Sequence, residues 1–247
     1  MDIWEIVKDS LKYPLSNWKS YLILGIIVVF ANLYVDIRVF SQNNELIMIL
    51  WIIGAIIGIF TYGYMFKIIR SSLDNVNVLP EFNGPVKIFT NGFKALIVGI
   101  IYLIPVFLLG LGGLFSGLIR IQAHYPYYMV PGILFWIIAL YAIVIIPVIA
   151  VAITNMAHNE SKLRSAFRFR EIMEKISSIG WGNLIKWYIV IGILYWIIGA
   201  IMLVIYYLLS CINPFFAGIV KSLILVPYRY IFVARSVGLI YMQDNGD

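Results

Sequence analysis

Three cations interrupt the last apolar run of this chain: Lys221, Arg229 and Arg235, between Ile212 and Tyr241. On one unbroken helix, at ~100° per residue, they fall within roughly 120° of one another. A cation near mid-bilayer costs at least ~2.5 kcal/mol, and the cost is offset when it faces a bundle interior, water or an anion. The chemistry on offer is anion attraction by Lys221, Arg229 and Arg235, with Tyr228 and Tyr230 beside them. A structural reading competes with it: Lys221 snorkels outward and the two arginines mark the inner boundary of a short span. A helix of about 30 residues would be about 45 Å long, against a hydrocarbon core of ~30 Å. Both readings fit that length. Pro227 lacks an N–H and disturbs the turn before it, which leaves a backbone carbonyl available.

Other chemistry is not assembled. His124 and His158 fall on opposite sides of the expected topology, and His158-Asn159-Glu160 has no second metal ligand nearby. Ser116 in Gly113-Leu-Phe-Ser116-Gly117 lacks a glycine two residues before it, and no histidine lies within a span to act as its base. Small residues packing helices explain Gly113/Gly117 and Gly54/Gly58 better. Paired carboxylates are absent from the spans, as are phosphate-cradling and dinucleotide motifs. A lone Cys211 cannot form an intrachain disulfide. Asn159-Glu-Ser161 matches a glycosylation sequon but falls on the inner side. No catalytic residue, cofactor or metal is therefore expected, and nucleic acid is not an expected partner.

The elements that must position the cations follow from composition. The chain is 62% hydrophobic and 12% charged over 247 residues, with mean hydropathy +0.95. Soluble domains carry about 25% charged residues, so the reading is a polytopic membrane protein. No polar stretch leaves room for a separate soluble domain, which makes residues 1–247 one integral membrane unit. Asp2, Glu5 and Asp9 argue against a cleavable signal in residues 1–16. Six runs suit membrane helices: 18–35, 46–69, 95–119, 129–154, 184–209 and 213–240. Thirteen Lys and Arg residues fall before the first span and in the second-to-third and fourth-to-fifth connections, against Arg38 and Arg120 opposite. That asymmetry places both termini in the cytoplasm. The expected site is the cell membrane. Tyr125, Tyr127 and Tyr128 suit an outer aromatic belt, and Trp4, Trp18, Trp181 and Trp187 an inner one.

A phrase recurs three times. Asn17-Trp-Lys19, Asn91-Gly-Phe-Lys94 and Asn183-Leu-Ile-Lys186 each lead into an apolar run with an early glycine, Gly25, Gly99 or Gly192. The expected fold is all-α: six transmembrane helices as three parallel hairpin repeats, 1–78, 79–158 and 159–247, with quasi-threefold pseudosymmetry. Pro147 and Pro227 fall at similar places in the second and third hairpins, where the first has Gly63. A cytoplasmic interfacial amphipathic helix is expected before each hairpin, in residues 2–13, 85–93 and 161–179. The first places Ile3, Trp4, Val7 and Leu11 at helical spacing. The second places Val86, Phe89 and Phe93 so, and the third Phe169, Ile172, Met173, Ile176 and Ile179. Lys19, Lys94, Lys186, Arg164, Arg168 and Arg170 are the expected membrane-surface contacts, seating the hairpins and meeting anionic headgroups.

Asp2-Ile-Trp-Glu5 followed by LKYPLSNWK resembles the opening of a prokaryotic, largely archaeal family, domain of unknown function 4013. Leu79-Pro-Glu-Phe82, Phe89 and Asn91 to Gly99 are similar to its central motif. Ser165-Ala-Phe167 leading to Ile179-Gly-Trp-Gly182 also fits, as do Ala234-Arg235, Gly238 and Tyr241. The resemblance implies a six-helix membrane protein and no established activity. The residues themselves favour non-enzymatic binding or movement of an anionic amphiphile or small anion. An assembly scaffold holding a protein partner or a second copy is the alternative, and a lipid-modifying enzyme comes third.

Overall fold

The computed structural model describes the backbone of residues 2–38, 41, 43–123 and 130–243, and side chains within these except 112–135. Ser116, Gly113, Gly117, Arg120, His124, Tyr125, Tyr127 and Tyr128 lie outside the described side chains. Nine α-helices occur among the described residues, with no strand. They are α1 Ile3–Lys12, α2 Trp18–Arg38, α3 Asn44–Leu73, α4 Pro85–Ala123, α5 Val130–His158, α6 Phe169–Ile179, α7 Trp181–Ser210, α8 Pro214–Val220 and α9 Val226–Met242. One wide turn, Lys221–Leu225, joins α8 and α9 into a single rod. Six helices are long and apolar enough to cross a membrane, within α2, α3, α4, α5, α7 and the α8–α9 rod.

The short helices form where local chemistry dictates. Asp2 caps α1, accepting from the Ile3 N–H at 2.7 Å, while the Asp2 N–H donates to Glu5 at 3.1 Å. That reciprocal box satisfies donors that a helix start leaves open. The buried stripe of α1 is Ile6, Val7 and Ser10, whereas Trp4 is 60% exposed. In α6, Ile172, Ile176 and Ile179 are fully buried at spacings of four and three. Arg168 and Arg170 pair with Glu171 and Glu174 on its exposed side. Gly180 then turns the chain into α7 with φ +84°, a conformation an L side chain resists. Residues 85–93 form no helix of their own: they are the first turns of the continuous α4. Trp18 and Trp181 stay exposed as belt residues would, but Trp187 is buried at 3% exposure.

The last rod is unlike the other five. Of its apolar window 56% is buried inside the protein, against 11% for α7. From Ile231 to Tyr241, α9 is buried at every position but Val233, packed against α1, α3, α5 and α6. The least apolar of the spans is thus the central post, and the more apolar helices present their surfaces outward.

Pro227 explains the wide turn. It has no N–H to give the carbonyl four residues back, so the turn before it opens, and the Val226 N–H bonds the Lys221 carbonyl five residues earlier. The carbonyls loosened this way are met by α2. Tyr21 donates its hydroxyl to the Ile224 carbonyl. Gly25 lies so close that an added Cβ would overlap the Leu223 carbonyl oxygen. A glycine hydrogen points there instead, the geometry of a weak Cα–H···O contact. Gly99 and Gly192, the matching early glycines, face open space. Gly25→Ala should therefore destabilise the protein by about 1–3 kcal/mol through overpacking. Gly99→Ala should be neutral or raise stability slightly, helix interiors preferring alanine. Thermal unfolding of the purified variants in one detergent checks the pair, and equal melting temperatures would overturn the assignment.

Candidate functional site

The three cations of the last rod do not meet. Lys221 and Arg235 are fourteen positions apart, about 21 Å along a helix, and each has its own surroundings. Lys221 lies 5.0 Å from the centre of the Tyr206 ring, within electrostatic reach of Asp36. Asp36 is itself buried at 6% exposure, pressed against Gly218, its Oδ2 without a hydrogen-bond partner.

Arg235 is a structural clasp. It is 1% exposed, yet all five of its N–H donors are used. Nε donates to Asp9 Oδ1 at 2.6 Å, and one terminal nitrogen donates to Asp9 Oδ2 at 3.2 Å and Asn77 Oδ1 at 2.8 Å. The other donates to the Val76 carbonyl at 2.9 Å and Ser72 Oγ at 3.3 Å. The Tyr13 ring covers the guanidinium at 4.4 Å. Burial pushes the Tyr13 hydroxyl above its ordinary range, with smaller contributions from its neighbours. The hydroxyl is neutral there, so its share of stability is present below the ordinary tyrosine range and lost as pH rises through the higher folded value. No donor of Arg235 remains for an outside anion.

A second polar knot holds the neighbouring elements. Tyr241 donates to Asn155 Oδ1 at 2.9 Å, and the Asn155 amide donates to the Ser165 carbonyl at 3.0 Å. These bonds tie α9 to α5 and to the short turn Leu163–Phe167. Tyr228 braces α9 against α1, donating to the Leu11 carbonyl at 2.8 Å. Tyr230 lines a crevice of about 290 Å³ between α2 and α3.

Arg229 has no such partners. Its guanidinium carbon sits 3.6 Å from the centre of the Tyr195 ring on α7. A Cβ at Gly199 would lie 3.3 Å from the same group, so the glycine leaves room for it. Its Nε is buried without a hydrogen-bond partner, and Arg229 makes no ion pair among the described residues. Stacking uses the face of a guanidinium, whereas its N–H groups point out from the edge. The edge of Arg229 is unspent.

The expected surface cations divide similarly. Lys94 donates to the Ser161 carbonyl at 2.8 Å. Arg168 and Arg170 hold their helix ion pairs, while Lys19, Arg164 and Lys186 are exposed. Beyond them, Glu160 and Lys162 pair at 2.9 Å in the open, and the hydrogen-bonded ammonium holds the Glu160 carboxyl below the usual range. His158 is exposed at the end of α5, its ring 6.1 Å from Tyr241.

Residues 46–234 match the model of a family described as a protein of unknown function, DUF4013. The chain belongs to this family. The DUF4013 match contains the stretch Leu79 to Gly99, the Ile179-Gly-Trp-Gly182 corner, Lys221 and Arg229. It leaves out the N-terminal segment that supplies Asp9, and it ends one residue before Arg235. No curated protein and no solved structure matches the chain.

Asp9, Ser72, Asn77 and Asn155 are the polar residues that motif reading missed. Their types carry no signal alone, and the bonds to Arg235 cross 158 to 226 positions of sequence. Removing one partner of a buried ion pair leaves the other unsatisfied. Arg235→Gln should therefore cost about 3 kcal/mol, and Arg235→Lys should not restore it, because an ammonium cannot reproduce the five-donor fork. Chemical denaturation in matched detergent checks this. A near-native Arg235→Lys would show that charge alone suffices.

Proposed function

We propose that this protein is a non-enzymatic membrane protein that binds or moves an anionic amphiphile, with Arg229 as its charge partner inside the bilayer. Both termini face the cytoplasm of the cell membrane in this reading, and the spans descend from three parallel hairpins. One observation carries the ligand class: the unspent guanidinium edge of Arg229, whose face lies on Tyr195 of α7. Its depth supports the reading. Tyr195 stands fourteen positions from the start of α7, about 21 Å along the helix, well inside a ~30 Å core. Stacking on a desolvated aromatic ring offsets about 2 kcal/mol. It leaves the in-plane donors without acceptors in a medium that offers none. An anionic group on an apolar tail supplies those acceptors and stays in the bilayer.

Lys221 and Tyr230 are accessory contacts in this proposal, while Arg235 and Tyr228 are braces. The alternative, an assembly protein that holds a protein partner, draws support from α7, of whose apolar window only 11% is buried. Acyl chains cover such a face equally well, which places it second.

Native mass spectrometry of the purified protein tests the first reading. Anionic lipid retention should fall about tenfold or more in Arg229→Gln, a charged hydrogen bond being worth that much. Lys221→Gln should lose less, and both variants should melt near the parent temperature. Equal retention by parent and a folded Arg229→Gln would remove the ligand reading and leave the scaffold.

A further inference from the structure

A second cavity lies where α3 ends and α4 begins. Its volume is about 420 Å³, within the range of small-ligand sites. Three cations line it, Lys67, Arg70 and Lys87, against one carboxylate, Asp74. Phe66 and Ile88 supply apolar wall.

The polar groups are not equivalent. The Lys67 ammonium is spent on the chain, donating to the Glu81 carbonyl at 2.7 Å, to the Asn83 carbonyl at 3.3 Å and to the Asn83 side chain. It fixes the 81–83 segment as one rim of the cavity and leaves its charge there. Arg70 is half-buried and Lys87 exposed, and neither side chain has a hydrogen bond or ion pair among the described residues. Glu160 lies within electrostatic reach of Arg70 but is bonded to Lys162. Asn91 adds a neutral donor. It is 7% exposed and lines the cavity, and its amide has no hydrogen-bond partner among the described residues. The amide atoms are not fully enclosed by protein, so they remain available to an occupant of the cavity.

We infer that this cavity binds a phosphate-bearing anion, taken by the Arg70 fork and the Lys87 ammonium, with Asn91 donating from the floor. A guanidinium offers parallel N–H groups to two phosphate oxygens, and a lysine adds a mobile point charge. The group is shared by phospholipid headgroups and by free phosphate or a soluble phosphate ester. The inference does not rest on the reading of Arg229, which lies on α9 and does not line this cavity.

The test uses the full chain in a neutral detergent, with phosphatidylglycerol and phosphatidylcholine as lipid probes and inorganic phosphate as the soluble one. Arg70→Gln with Lys87→Gln should lower phosphatidylglycerol retention about tenfold or more. Asp74→Asn should raise it by removing the opposing charge, and Lys8→Gln, exposed on α1 and away from the cavity lining, should leave it unchanged. Lys87→Gln alone, on an exposed side chain, keeps the test usable if the double variant fails to fold. Thermal stabilisation of the parent by inorganic phosphate, absent in the variant, identifies a soluble phosphate as sufficient. Retention of phosphatidylglycerol with no response to phosphate identifies the lipid headgroup. Unchanged retention in a folded variant, or no binding of either probe by the parent, would overturn the site. Loss in Arg229→Gln with no loss in the Arg70 and Lys87 variants would overturn this site and spare the other.

Discussion

Everything at the basic end of this bundle depends on a guanidinium with nowhere else to go. Arg235 sits inside the most buried helix, and a cation there is tolerable only when its charge and every donor are matched. Asp9 supplies the charge and two acceptors, and Ser72, Val76 and Asn77 supply the rest. These groups come from α1, the end of α3 and the segment after it. The clasp therefore fixes where the N-terminal helix lies and where the chain turns after its second span. It also makes the last rod the post on which earlier elements register, since α9 contributes the arginine.

The same rod shows how a helix break is accommodated away from water. Pro227 forces an opening in the hydrogen-bond ladder, and membrane interiors offer no solvent to fill it. Tyr21 and Gly25 from α2 meet the loosened carbonyls, one with a hydroxyl and the other by close approach. This couples α2 to the rod around Lys221–Leu225, as the clasp couples α1 and α3 to its other half, around Arg235. Shape and polarity do the work that general hydrophobicity cannot, because lipid is as apolar as the helices it surrounds.

The six spans were legible because length and apolarity are local properties, and the family was legible from short motifs that lie mostly within the matched residues. The last run was legible as unusual through its three cations. Their roles were not. Arg235 reads in sequence like Arg229, and only contacts reaching back to Asp9 separate them. The segment before the second hairpin differs for a related reason. Helical spacing identified Val86, Phe89 and Phe93 but not where the helix would stop, so residues 85–93 merged into the long α4. Carbonyls made free by Pro227 were foreseeable, whereas their capture by Tyr21 required knowing that α2 lies alongside.

Arg229 and Arg235 stand six residues apart on one helix, and the difference between them is informative. The chain assembles five acceptors around Arg235 from distant segments, so it is capable of saturating a buried guanidinium. Around Arg229 it provides an aromatic face at Tyr195 and room at Gly199, and among the described residues no hydrogen-bond acceptor pairs with it. A cation whose sole purpose was to mark the membrane boundary would reach its headgroups by snorkelling, not lie flat on a ring in the span. The stacked arrangement holds the plane of the guanidinium fixed while leaving its edge open, which is the orientation that receives an oxyanion. Spent and unspent donors thus divide the cations of this protein into those that build it and those available for something else.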